Sequence, residues 1–376
     1  MNCIKIIGAG IGGLTLGIAL KQKGFEVKIY EAAKEIKVVG AGIILGCNAM
    51  QVYQKLGLDQ KLAAKGNLLN KLSVTDHKLK NLSVLSLDYF VEKYQLANFA
   101  IHRADLHQVL LDQFDASEVI FGKRLKKVNQ NKTEIEFTDG TKESFDILIG
   151  ADGIHSVVRA SIFGTDLEIR KAGQMCWRGV VEYQLPKEYK HEFREAWGLG
   201  ARIGHGQINE SQVYWFALIN SNESPDTFQN KDWKKAFKDF DPLLFELINL
   251  TPNQNIHLGE MTDLELLTKW YQDNICLLGD AAHAMTPNMG QGAGQSIEDA
   301  LALANMLAKY EGDHLQAFPA YQMYRKKKVD KIVNNSWRIG NISQLENPFV
   351  IGLRNAAMRI TPAFIGRNAL KETFAI

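Results

Sequence analysis

The sequence predicts a mixed α/β fold: a parallel-sheet half that opens the chain, a β-rich half inserted into it, and helices at the end. Three observations predict this. Gly8-Ala9-Gly10-Ile11-Gly12-Gly13 follows directly on the apolar run 3–7. Almost a whole chain later, Gly279-Asp280-Ala281-Ala282-His283 follows on the apolar run 275–278 and leads into Pro287, Gly290, Gln291 and Gly292. Between them, over 174–183, 201–205 and 212–219, apolar and polar residues alternate with period two, unlike the flanking segments.

The first motif reads as a Rossmann-like strand–turn–helix. Gly8 permits the tight turn out of the strand, Gly10 lets the backbone approach a diphosphate, and Gly13 lets the helix 11–23 pack closely on the sheet. The helix N-terminus then offers free amides to phosphate oxygens. Gly24 stops the helix and 25–30 forms the second parallel strand. Glu31 ends it, 23 residues after Gly8, where a carboxylate accepts hydrogen bonds from an adenosine ribose. With the distant Gly279-Asp280, these features suggest a flavin laid out full length, its diphosphate at one motif and its ribityl chain at the other.

Further along, 38–43 is rich in small residues, and helices are expected over 48–56 and 103–111. Thr133 to Phe137 alternates with period two, and Thr138-Asp139-Gly140-Thr141 supplies a hairpin turn. The strand 147–150 delivers Asp152-Gly153, and the chain is helical again from Ala317. The pattern divides the chain into a discontinuous cofactor domain (1–70, 98–168 and 270–345), a β-rich substrate domain (71–97 and 169–269) and a C-terminal helical segment (346–376).

Composition narrows the class. The chain has 376 residues, 46% of them hydrophobic and 23% charged, with a net charge of +2: values of a globular enzyme without a basic patch for nucleic acid. Cys3, Cys47, Cys176 and Cys276 form no CxxC pair, so neither a metal centre nor a disulfide framework is expected. No apolar run reaches 18 residues and no signal peptide opens the chain, which gives a cytoplasmic location and no transmembrane segment as expectations.

Gly150-Ala151-Asp152-Gly153-Ile154-His155-Ser156-Val157-Val158-Arg159 resembles the second fingerprint of single-component FAD-dependent aromatic hydroxylases. Gly8 to Gly13 resembles their first, and Gly279-Asp280 with Pro287 and Gly290-Gln291-Gly292 their third. Over essentially the whole chain the sequence is similar to group A flavoprotein monooxygenases, the p-hydroxybenzoate hydroxylase class, and within it to the urate hydroxylase, salicylate hydroxylase and zeaxanthin epoxidase branch. The resemblance implies noncovalent FAD held by Gly8, Gly10, Ile11, Gly12, Gly13, Glu31, Ala32, Gly40, Ala41, Arg103 and the backbone of Leu125. At the other end it implies Asp152, Gly279, Asp280, Gly290, Gln291, Gly292 and Ala293. For Asp152, helix capping is an equally good reading, and His283 reads as structural. The implied reaction uses NAD(P)H and O2 to hydroxylate or epoxidise a small aromatic or heteroaromatic substrate through a flavin C4a-hydroperoxide. NAD(P)H then binds transiently, since no second dinucleotide fingerprint is present, and 39–43 is the candidate hinge for a moving flavin.

Arg178, Arg202, Tyr214 and Pro287 are the candidate catalytic residues. Arg202 and Tyr214 sit where the resemblance implies a urate hydroxylase's substrate-binding arginine and tyrosine, and such an arginine fits an anionic ring. The alternative for Arg202 is a solvent-facing strand residue; either Arg178 or its neighbour Trp177 faces the flavin. The tail beginning at Asn347-Pro348 either packs across both halves or lies on a membrane surface. A flavin oxidoreductase of the same fold without oxygen insertion is the alternative function. A halogenase is not expected, because W-x-W-x-I-P is absent. A monomer or homodimer is expected.

Overall fold

The computed structural model describes residues 3–35, 41–164, 168–228 and 232–376. Its first half is built on a six-stranded sheet in the order Tyr271–Gln272, Ile275–Leu277, Ile147–Gly150, Ile4–Ile7, Val27–Tyr30, Val119–Ile120. All pairs are parallel except the Tyr271–Gln272 edge. Ile4 stands opposite both Ile147 and Val27, and the central strand is buried throughout, apolar at Ile4, Ile6 and Ile7 and with Lys5 paired to Glu143. The helices Ile11–Gln22 and Gly292–Lys309 pack on each other. The contact needs Gly12: a Cβ there would stand 2.8 Å from Leu278 Cδ2 and 3.1 Å from Ser296 Cβ.

The second large sheet has seven strands: Ile256–Leu264, Ile169–Glu182, Gln212–Asn220, Ala201–Gln207, Glu192–Trp197, Lys71–Asp76, Asn81–Ser86. Its pairs are antiparallel except Glu192–Trp197 beside Lys71–Asp76. One face carries Met175, Trp177, Val181, Ile203 and Trp215 into a core with the helix Pro242–Leu250. Trp177 stacks there on Trp233, with ring centroids 4.6 Å apart. Alternation therefore puts Arg178, with Cys176 and Val180, on the opposite face, where Arg202, Tyr214, Phe216 and Leu218 also lie. Of Trp177 and Arg178, the sheet thus turns Trp177 into its own core and Arg178 to the face shared with Arg202 and Tyr214.

The hairpin over 134–144 and the helix Arg103–Leu111 form as expected. The helix that follows Asp152-Gly153 runs Val157–Phe163, after the Ser156 cap. A 30-residue helix, His314–Ser343, leads into Pro348–Ile360 and Ala363–Phe374. The tail packs across the molecule: Phe374 meets Phe90 edge-on at 4.8 Å, and the Gln51 side-chain amide donates to the Phe374 carbonyl at 2.8 Å.

Candidate active site

The helices Ile11–Gln22, after Gly10, and Gly292–Lys309, after Gln291, begin without a side-chain cap and with no acid in the first turn. Their first amides are thereby left for an external acceptor. Gly10 has no atom within 4 Å of where a Cβ would stand, so the first turn is open above its backbone. Gly8 and Gly13 are closed by contrast: a Cβ would stand 2.3 Å from the Ala151 carbonyl oxygen at Gly8, whose φ is +107°, and 2.0 Å from the Gly8 oxygen at Gly13.

Glu31 accepts from the Ala9 amide at 2.9 Å and the Ala33 amide at 2.8 Å, which fixes its carboxylate beside the glycine turn. Ala32 lies between these contacts, half-buried. Gly122 and Lys123 donate to the carbonyls of Ala33 and Glu31, and so bring the strand that starts at buried Leu125 alongside. Arg103, exposed at the start of its helix, is tied by its amide to the Ala41 carbonyl at 2.9 Å. Gly40 and residue 39 of the candidate hinge 39–43 lie outside the described residues, while Ala41 leads into the strand Gly42–Leu45.

Asp280 opens onto the same cleft as Arg103, and a Gly292 Cβ would stand 3.9 Å from its Oδ1. The surrounding protein raises the Asp280 carboxyl above the usual range, against which His283 and Arg103 pull it down. Gly290 turns with φ +62° into open space, and Ala293 follows in the first turn of its helix. Asp152 is a capping residue: it accepts from Ser156 Oγ at 2.5 Å and from the Val157 and Val158 amides at 2.7 and 3.2 Å. Arg159, from the same motif, donates to the carbonyls of Ala281 and Ile154 and so ties the second fingerprint to the third.

Behind the Gly290–Gly292 loop lies a buried polar network that motif reasoning did not find. Asn48 donates to Gln291 and Glu298; Arg325 donates to Glu298, Asp299 and Gln295. His283 Nε2 lies 2.5 Å from Asp299 Oδ2, which gives it the structural role expected. Burial pushes Asp299 up, but His283 and Arg325 outweigh it and hold the carboxyl at about 2. The signal was weak because its members come from three distant stretches at no fixed spacing.

The inner face of the seven-stranded sheet holds two unlike arginines. Arg202 is 1% exposed, so it is no solvent-facing strand residue. Its Nη1 donates to Glu195 at 2.7 Å and its Nη2 to Asn288, which stands between Pro287 and Met289. Arg178 Nη2 contacts Met261 Sδ at 3.8 Å and the group also lies against Cys176 and Tyr214, but no carboxylate pairs with it among the described residues. Tyr214 sits near Arg178 and Arg103; burial pushes its hydroxyl up and both cations oppose this. A Cβ on Gly42 would stand 2.6 Å from Tyr214 Cβ, so the segment after the glycine turn rests on this tyrosine. Pro287 is exposed at the start of its short helix.

The model of a family described as "FAD binding domain" matches residues 2–336. The chain belongs to this family. Over 365 residues this FAD-binding protein is 34% identical to the aurachin C monooxygenase/isomerase of Stigmatella aurantiaca, covering 95% of this chain and 94% of the relative. It is 31% identical to the 2-heptyl-3-hydroxy-4(1H)-quinolone synthase of Pseudomonas aeruginosa, over 99% and 97% of the two chains. Among solved structures, Klebsiella pneumoniae HpxO complexed with FAD and uric acid superposes with a TM-score of 0.90 at 28% identity, over 99% of this chain and 96% of that one. The expected α/β fold, FAD cofactor and monooxygenase class are thereby met. Among the described residues no helix is long and apolar enough to cross a membrane.

Proposed function

We propose that this FAD-dependent monooxygenase uses NAD(P)H and O2 to hydroxylate or epoxidise an uncharged, planar nitrogen heteroaromatic held against Arg178. One observation carries the reading: of the two arginines on the inner sheet face, Arg202 is neutralised by Glu195, and Arg178 is left to meet a substrate oxygen. The expectation of an anionic ring on Arg202 is replaced by this one. At Arg202 an ion pair already in place offers a second carboxylate or urate-like anion little, whereas the Arg178 N–H groups remain to donate to a ring carbonyl. The surrounding Val180, Phe216, Leu218 and Met261 favour an apolar substituent on the ring. The name of one relative, a 2-heptyl-3-hydroxy-4(1H)-quinolone synthase, agrees with such a substrate.

The cleft suits FAD because two uncapped helix starts, the open Gly10 and the cleft-facing Asp280 and Arg103 supply its donors and acceptors. When bound, FAD supplies the redox chemistry, hydride uptake from NAD(P)H and activation of O2. The amides following Gly8 and Gly10, from Ile11 to Gly13, would hold the diphosphate, with Arg103 facing it. Glu31, Ala32 and the Leu125 backbone would line the adenosine, and Ala41 the neighbouring stretch. Asp280 would accept from a ribityl hydroxyl beside Gly279. Gln291 to Ala293 would turn amides to the ring edge, where a helix start stabilises negative charge. Asp152 acts through the helix it caps. Pro287 and Asn288, tied to the sheet through Arg202, would stand between the bound cofactor and the sheet face that carries Tyr214. We read residues 71–97 and 169–269 as the substrate half on this basis.

The test is substrate-stimulated NAD(P)H oxidation with product mass, comparing a neutral 4-quinolone with urate. Glu195→Gln, which frees Arg202 from its partner, is expected to shift preference towards the anion. Stimulation by urate alone in the wild type would overturn the neutral-ring reading, and oxidation without oxygenated product from any ring would favour the oxidoreductase alternative.

A further inference from the structure

We propose that the outward face of the two C-terminal helices, Pro348–Ile360 and Ala363–Phe374, docks the protein on an anionic phospholipid membrane surface. At 3.6 residues per turn, Phe349, Leu353, Ala356 and Ile360 fall within about 60° of arc, a continuous apolar stripe. The opposite face is the packed one. There Arg354 is buried, donates to the Ile342 carbonyl at 3.0 Å and the Ser343 carbonyl at 3.3 Å, and lies over the Trp197 ring at 5.0 Å. These bonds fix the rotation of the helix, so the stripe points away from the body of the protein. Beyond the break at Pro362, the next helix exposes Phe364 and Ile365. Phe349, Val350, Leu353, Ile360, Phe364 and Ile365 are 40% to 81% exposed. Six large apolar side chains exposed within 17 consecutive residues are more than the scattered apolar residues an ordinary surface shows.

The charge of the segment selects its occupant. Residues 348–376 carry, besides the inward-packed Arg354, three arginines and lysines against a single glutamate, while the other 347 residues carry one more acid than base. Arg359 flanks the stripe and is anchored to Asp76 at 3.5 Å, beside the exposed Lys78 and Lys80 of the neighbouring hairpin. A basic rim around an apolar stripe is the pattern that lies in a bilayer interface, with cations at the phosphate level and rings among the acyl chains. A second copy of the chain fits less well, because a two-fold contact would set these cations against one another. Spanning is excluded by length: the 13 residues of Pro348–Ile360 reach about 20 Å, short of a hydrocarbon core.

The full-length holoprotein is floated with vesicles of phosphatidylcholine and phosphatidylglycerol, and with phosphatidylcholine alone. Two variants accompany it: Phe349→Ser/Leu353→Ser/Ile360→Ser, and Lys78→Gln/Lys80→Gln/Arg359→Gln. The wild type is expected to float with the anionic vesicles. Each variant, and the neutral lipid, should weaken binding on the order of tenfold or more, with FAD content unchanged. If the serine variant loses its fold, the charge variant decides alone. No flotation of wild type, or flotation of the charge variant equal to wild type, overturns the proposal. A concentration-dependent dimer that does not float would assign the face to a second copy and overturn it as well. Because the readout is lipid binding, it succeeds or fails independently of the substrate reading above.

Discussion

Around Gly8–Gly13 and Gly290–Gly292 the groups turned to the cleft are backbone amides, set by glycines and helix starts. On the inner face of the seven-stranded sheet they are side chains, Arg178, Tyr214 and Phe216, set only by strand alternation. The first kind of site tolerates almost no change of residue type, since any Cβ alters the backbone's reach. The second can be rewritten one side chain at a time without disturbing the sheet. A cofactor common to a family and a substrate peculiar to each member are served by these two modes.

The largest effect expected from breaking the first mode is at Gly13. Gly13→Ala puts a Cβ 2.0 Å from a backbone oxygen that has nowhere to go, and should cost the fold about 3 kcal/mol or more, read as a fall in Tm. Gly10→Ala meets no protein atom, so Tm without flavin should hold while FAD affinity falls. Equal FAD affinity in Gly10→Ala and wild type would show that the diphosphate does not pass over Gly10.

The two arginines sharpen the second mode. Arg178→Ala should lower kcat/KM by about thirtyfold to several thousandfold with FAD content and Tm unchanged, and lysine should rescue it poorly. Arg202→Ala leaves the Glu195 carboxylate with the Trp197 indole N–H and no cation, and should instead lower stability by about 3 kcal/mol. If Arg178→Ala is active and Arg202→Ala is stable but inactive, their assignments are reversed. Asp280→Ala is a smaller test: losing a hydrogen bond to a charged group, about 1.5–3 kcal/mol, should weaken FAD about ten- to a hundredfold in a folded protein.

The smallest effect at neutral pH concerns His205, buried on the outer face of the sheet with both ring nitrogens unpartnered. Burial, and then Arg194, push it down to about 3 from an ordinary 6.5. Between those values the unfolded chain holds a proton that the folded chain does not. Stability therefore falls as pH drops below about 6.5, by at most about 1.4 kcal/mol per unit from this group. His205→Leu should flatten that part of a stability–pH curve, and an unchanged slope would place the linked proton elsewhere.

Much of the cofactor half was legible because its chemistry is written in contiguous residues: Gly8 to Gly13, Asp152-Gly153, Gly279-Asp280. The helix Arg103–Leu111 matches its expected bounds for the same local reason. The strands Lys71–Asp76, Asn81–Ser86 and Glu192–Trp197 were not read. Asn81–Ser86 is an edge strand with mostly exposed residues, and Glu192 and Arg194 are charged residues buried as a pair, so neither gives a clean alternation. The partners of Arg202 escaped notice for a different cause. Glu195 lies on the neighbouring strand and Asn288 in a loop of the other half, and nothing in sequence spacing brings the three together.

The order of strands in the six-stranded sheet has a consequence in time. Ile147–Gly150 lies between Ile4–Ile7 and Ile275–Leu277, so one side of it is completed only after another 125 residues have been added. At about 5–20 residues per second, a growing chain holds that apolar edge unpaired for roughly 6–25 s. The seven-stranded sheet is made in the interval and needs nothing later than Leu264. During synthesis the inserted half is thus able to close first, and the half that begins the chain is the last to be finished.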